Sequence, residues 1–151
     1  MSAKLEKVLF ELQEAEWHSA GTETLWATPL LANEFRLENS PFYARGYSFE
    51  DVVFAQFDSA RGFPVVQRVV RKSGRSTYAL RVIQGIASNK RFLLYWEPLE
   101  KIGCTYENAD GVLLIVDVPA QTRIHEAYRL LEIGEHAGVW EFQEQNVGHA
   151  V

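Results

Sequence analysis

FPVVQRVVRKSGRSTYALRVIQ, residues 63–84, decides how this chain divides and folds. Phe63–Arg71 and Ser76–Gln84 are rich in β-branched and aromatic residues, so both arms read as strands. Lys72-Ser73-Gly74-Arg75 between them offers a glycine where a tight turn needs one. The pair therefore reads as a hairpin. Its second arm can serve the residues on either side, which makes this stretch the expected join of two subdomains, 1–75 and 76–151. The stretch also lies in a one-signed part of the chain. No acid occurs between Asp58 and Glu97, whereas Arg61, Arg68, Arg71, Lys72, Arg75, Arg81, Lys90 and Arg91 are all basic.

Toward the N-terminus the pattern stays β. Lys7–Leu12 alternates Val8 and Phe10 with polar neighbours, Glu23–Leu30 is extended around Trp26, and Phe35–Leu37 is a short third run. Asn39-Ser40-Pro41 closes that run, because Asn and Ser bond their own backbone and Pro cannot donate to a ladder. Asp51–Phe57 (DVVFAQF) is a further strand, ended by the turn Asp58–Gly62. Short strands at this spacing predict a small antiparallel β barrel or sandwich.

Toward the C-terminus the period changes. Ser88 is placed to cap a helix with Phe92, Trp96 or Tyr95, Leu99 and Ile102 on its apolar side, broken or kinked at Pro98 and ended by Gly103. Gly111–Val118 (GVLLIVDV) runs apolar without alternation, as a strand covered on both faces does. Thr122 caps a second helix with Ile124, Ala127, Tyr128 and Leu131 inward, stopping near Gly134. Val139–Gln143 is a last strand. The order β-α-β-α-β predicts an α+β, ferredoxin-like portion with two helices on one sheet face.

The 151 residues suffice for one domain or two small ones sharing a compact unit, and a composition of 47% apolar and 23% charged residues excludes disorder as the default. Net charge is −5, with ten acids against four bases in residues 1–58 and ten against three in residues 97–151. The chain is a basic waist between acidic ends, a pattern that governs encounter more than fold. The opening residues lack a secretory h-region, and the longest apolar run, Val112–Val116, is too short to cross a bilayer. One cysteine, Cys104, fits a reducing compartment. These features predict a soluble, bacterial-type cytoplasmic protein that does not engage a membrane.

No known catalytic constellation emerges. His18, His125, His136 and His149 show no metal-ligand spacing and read as solvent-facing side chains, while Cys104 falls at a helix C-terminus, where the dipole opposes a thiolate. There is no nucleophile elbow, Walker loop or cofactor fingerprint. No catalytic residue, metal or cofactor is therefore assigned. Two binding sets remain. Arg45, Arg68, Arg75 and Tyr78 would hold an anion at the join of the halves, with His125 or Glu141 as acid or base. Trp140, Glu141, Phe142 and Glu144 form an acidic, aromatic patch suited to a basic protein. Nucleic acid is disfavoured by the overall acidity, although Phe63 and Tyr78 interleave with arginines.

Several phrases carry a resemblance. Lys7-Val8-Leu9-Phe10, Glu23–Ala27 (ETLWA), Pro41–Gly46 (PFYARG) and Asp51-Val52-Val53 are four of them. Gly74–Tyr78 (GRSTY), Gly103–Glu107 (GCTYE), Asp117-Val118-Pro119, Gly138–Phe142 (GVWEF) and Gly148-His149 complete the set. Together they resemble the bacterial domain-of-unknown-function family 4265 along nearly the whole chain. The resemblance implies small cytosolic proteins, some lying beside polymorphic toxins, and carries over no catalytic residue. It implies an immunity protein that neutralises a cognate toxin, so a binding protein without enzymatic activity is the leading expectation. The alternatives are a nucleotide- or small-molecule-handling enzyme with an anion pocket at the join, or a weak nucleic-acid binder.

Overall fold

A computed structural model describes residues 4–13 and 20–151; His18 lies outside the described residues. The chain forms two compact units, Met1–Ser73 and Gly74–Val151, against the expected boundary after residue 75. The class is α+β, with two helices and nine strands among the described residues.

The first unit is a closed barrel of strands β1 (Glu6–Glu11), β2 (Thr22–Pro29), β3 (Glu34–Leu37), β4 (Val52–Asp58) and β5 (Phe63–Arg71). Consecutive strands pair antiparallel, and β1 closes the barrel against β5 in parallel through Leu9 and Val65. Closure removes the sheet edges that would otherwise template aggregation. The interior follows the two-residue period of the sequence: Val8 and Phe10, Leu25 and Ala27, Phe35 and Leu37, Val53 and Ala55 all point inward. Trp26, between Leu25 and Ala27, is exposed with the Lys7 ammonium over its ring.

The second unit runs β6 (Ser76–Val82), α1 (Phe92–Lys101), β7 (Thr105–Asn108), β8 (Leu113–Val118), α2 (Ile124–His136) and β9 (Trp140–Asn146). Its antiparallel sheet has the order β7-β8-β6-β9. The expected β-α-β-α-β order thus gains a strand. β7, Thr105-Tyr106-Glu107-Asn108, is a short edge strand with only partial burial, so it carries no apolar alternation to betray it. Phe92, Trp96 and Leu99 of α1 and Ile124, Ala127 and Leu131 of α2 pack with Tyr78, Leu80, Val82, Leu114, Val116 and Val118 in one core.

The expected hairpin is not formed. β5 takes its partners from β4 and β1, whereas β6 takes its own from β8 and β9. Side-chain bonds of the intervening residues explain this. The backbone N–H and hydroxyl of Ser73 donate back to the Asp51 carboxylate and the Phe49 carbonyl. Arg75, by contrast, reaches forward to Asp117 of β8. Each end of the turn is tied into its own unit.

The helix ends differ from expectation in instructive ways. α1 starts after Arg91, with the Asn89 side chain accepting from the Arg91 N–H, so Ser88 is not its cap. Pro98 lies inside a continuous helix. The carbonyl it leaves without a donor belongs to Leu94, an exposed residue. Gly103, at φ +103, then ends α1: its N–H and that of Cys104 donate to the Glu100 and Leu99 carbonyls, a Schellman closure. Thr122 does not cap α2 either, because its hydroxyl donates to the Ile102 carbonyl at 2.7 Å. The cap position is Arg123, in extended conformation with no side-chain cap bond.

α2 also continues through Gly134, where a stop is expected, and closes at Gly138 by the same Schellman pattern. Gly134 is there for space. The Trp140 indole lies flat against it and donates its Nε1–H to the Leu131 carbonyl at 2.8 Å, and an added Cβ would collide with the ring. In an ordinary helix interior Gly→Ala gains about 1 kcal/mol. Here overpacking reverses the sign, and Gly134→Ala is expected to lose roughly 2 kcal/mol. Denaturant unfolding checks this, and an unchanged or stabilised variant would refute the packing account.

Candidate functional site

The phrases singled out in the sequence converge in the fold as clamps between backbone and side chain. In the barrel unit the Glu23 carboxylate accepts from the N–H groups of Phe42, Tyr43 and Ala44, at 2.6, 3.1 and 3.0 Å. One acid on β2 thereby holds the irregular segment after β3. Asp51, fully buried, accepts from the N–H of Ser48 at 3.0 Å and from that of Ser73 at 2.8 Å. It fixes the entry to β4 and the exit from β5. A carboxylate that receives several backbone donors replaces the water those donors would lose on burial.

In the second unit three phrases meet at the start of β6. The Arg75 guanidinium pairs with the Asp117 carboxylate at 2.5 Å, both largely buried. The Ser76 hydroxyl, fully buried, accepts from the N–H groups of Gly148 and His149 at 3.0 and 3.3 Å. It also lies 2.6 Å from Nδ1 of His149, while Nε2 of the same ring lies 2.8 Å from the Pro119 carbonyl. A carbonyl can only accept, so Nε2 carries the proton and Nδ1 accepts from Ser76. His149 is thus not solvent-facing, contrary to the expectation from sequence; both its nitrogens are engaged. Gly148 packs so close to the Arg75 carbonyl that no Cβ fits.

A serine hydroxyl beside an imidazole invites a catalytic reading, and the geometry answers it. Ser76 has no exposed surface, and its oxygen is already an acceptor for two amides. The contact latches the last residues of the chain onto β6. Cys104, beside this cluster, is buried as well. Burial, with the Asp117 charge added, pushes its thiol from 9.0 up to about 12. It is a protonated, unreactive thiol at neutral pH.

A family model described as a domain of unknown function, DUF4265, matches residues 23–142. The chain belongs to that family. The match opens at Glu23 and closes at Phe142, so it spans both units, and the Gly148-His149 latch lies beyond it. Among solved structures the chain is similar to one titled "Novel crystal structure of a hypothetical protein from Neisseria gonorrhoeae". That likeness has a TM-score of 0.80 at 15% identity and covers 99% of this chain and 100% of the other. At that identity it establishes the fold. No curated protein matches the sequence.

The sequence-selected binding residues scatter. Arg45 is exposed in the barrel unit, and Arg68 lies on the barrel exterior with its guanidinium 4.6 Å from the Phe54 ring. Arg75 is paired, and Tyr78 is in the core. Burial, with the Glu144 charge added, raises the Tyr78 phenol well above its ordinary value. Much of the basic waist is engaged internally: Arg61 pairs with Glu11, Arg71 with Glu34 and Arg81 with Glu141, while Arg91 donates to the Ala137 carbonyl. Exposed pairs of this kind add little stability, but they weaken the field that the bare sequence suggests.

Trp140 is buried and cannot anchor a partner; Glu141 points to the other sheet face beside Arg81. Phe142 and Glu144 do share a face. Phe142 packs on Tyr78 and Tyr128, with ring centroids 6.2 and 5.4 Å away, and Glu144 lies opposite Tyr78. Alongside runs the α2 stripe Tyr128, Glu132 and Glu135, spaced four and three residues apart. The Glu135 carboxylate accepts from the Phe142 N–H at 3.0 Å. Sequence reading missed the α2 members of this flank, although their helical spacing was there to be read. It also missed the clamping roles of Glu23, Asp51 and Ser76, whose partners are backbone groups far away in sequence.

Two titrations follow from the burial of Cys104. In the native protein it is expected to resist a thiol reagent at about pH 8 and to react once the chain is unfolded. Because the folded thiol keeps its proton up to about 12 while the unfolded one loses it near 9.0, stability falls as pH rises through that window. Cys104→Ala should make the decline shallower. Rapid labelling of the native thiol, or identical pH slopes, would contradict this.

Proposed function

We propose that this protein binds another protein through the flank built by α2 and β9, and read it most specifically as an immunity protein that neutralises a cognate bacterial toxin. The observation that carries the reading is the arrangement of Tyr128 and Phe142 as a half-exposed aromatic pair bordered by Glu132, Glu135 and Glu144. Aromatic side chains provide contact area at small entropic cost, and a rim of one sign selects the sign of the partner. The partner that fits is a basic protein surface. β9 also ends the sheet, so the flank sits on a fixed element rather than a loop.

The charge layout supports the same direction. With most waist arginines engaged by acids or rings of their own unit, the open charge of this flank is negative. An acidic face steers a basic partner at long range and is screened by salt. Among the described residues no helix is long and apolar enough to cross a membrane, and the family match adds no activity to weigh against binding.

The test is calorimetry of the purified protein against the toxin encoded next to its gene. Glu132→Lys and Glu144→Lys together are expected to weaken binding by about tenfold or more and to flatten its salt dependence. The melting temperature should change little, because both side chains are exposed. A neighbouring toxin that does not bind, or that binds the charge-reversed protein equally well, would end this reading.

A further inference from the structure

We propose that a second site, separate from the acidic flank, binds the phosphate group of a small phosphate ester. An open depression of about 800 Å³ lies in the second unit between the start of α2 and the C-terminal residues latched by Ser76. Arg123, His125, Glu126 and Arg129 line one side, and Gly148 and His149 line the other.

The unengaged arginines distinguish this depression from the rest of the surface. Arg36, Arg61, Arg71, Arg75 and Arg81 are in ion pairs, and Arg68 and Arg91 lie over aromatic rings. Among the described residues only Arg45, Arg123 and Arg129 have no such engagement, and two of those three share this one depression. In a chain of net charge −5 that is a local reversal of sign, since two guanidinium groups face one lining carboxylate, Glu126.

Guanidinium groups bind tetrahedral oxyanions through paired N–H donors, and phosphate is the anion whose charge and geometry use them best. The first-turn N–H groups of Ile124, His125 and Glu126 lie where α2 begins, with no side-chain cap. They add donors at the same end of the depression.

The remaining lining identifies an ester rather than a free ion. Gly74, Ala120, Ile124 and Ala150 give the depression an apolar wall, against which an organic group can rest. The volume exceeds what a bare phosphate fills, and falls within the range of small-molecule sites. The wall formed by Gly148, His149 and Ala150 exists only while the latch is closed, so the latch shapes the site without touching the ligand's charge.

Titration of the full chain with AMP, inorganic phosphate and sulfate at low ionic strength, followed by amide NMR, tests the proposal. Saturable shifts are expected at Ile124, His125 and Glu126, with AMP binding in the millimolar range or better and more tightly than inorganic phosphate. Arg123→Gln with Arg129→Gln should weaken AMP binding at least about fivefold without lowering the melting temperature, because both residues are exposed. Absent or non-saturating shifts, shifts centred elsewhere, or unchanged affinity in the double variant would each overturn the site. Equal affinity for inorganic phosphate and AMP would overturn the ester assignment. Both substitutions leave the Tyr128–Phe142 flank intact, so the two readings fail independently.

Discussion

The buried hydroxyl of Ser76 holds the C-terminal residues of the second unit onto its sheet. It sits at the first position of β6, a central strand, and binds two amides and one imidazole from residues more than seventy positions away. Next to it Arg75 crosses to Asp117 of β8, and His149 reaches the Pro119 carbonyl just past the end of β8. A polar group with no access to water must find its full complement of partners inside, or it costs more than it contributes. That constraint explains why the chain keeps serine, histidine and an acid–base pair together here, each largely withdrawn from solvent. The barrel obeys the same rule through Glu23 and Asp51, each collecting backbone donors that an irregular segment would leave bare.

How far the fold was legible depends on the kind of signal. Alternation at Val8 and Phe10, Leu25 and Ala27, and Phe35 and Leu37 is a local property, and the barrel interior follows it. The unbroken apolar run around Leu114–Val116 marks a strand buried on both faces for the same reason. The hairpin around Gly74 misled because a glycine turn between two β-rich arms is a local signal, whereas the partners of Ser73 and Arg75 are set by side chains distant in sequence. Likewise the helix stop expected at Gly134 ignored a space requirement imposed by Trp140. Local chemistry was readable; the competition it lost was not.

The candidate surfaces show the same division. Charge counting revealed a basic waist, but pairing with Glu11, Glu34, Asp117 and Glu141 takes up half of its eight bases. The two candidate surfaces lie elsewhere: an acidic, aromatic flank on α2 and β9, and two arginines without an ion pair where α2 begins. Phe142 and Glu144 were visible from sequence because they are two residues apart on one strand. Their companions Tyr128, Glu132 and Glu135 join them only because α2 packs beside β9. In both proposals the functional surface is what the internal clamps leave exposed, and the clamps themselves are structural.

That claim is tested most directly by native-state hydrogen exchange at the amides of Gly148 and His149. Residues this close to a chain end ordinarily fray and exchange freely. The account predicts protection approaching that of β6 in the wild-type protein, and its loss in Ser76→Ala while the β6 amides stay protected. Free exchange of both amides in the wild-type protein, or protection that survives the substitution, would contradict it.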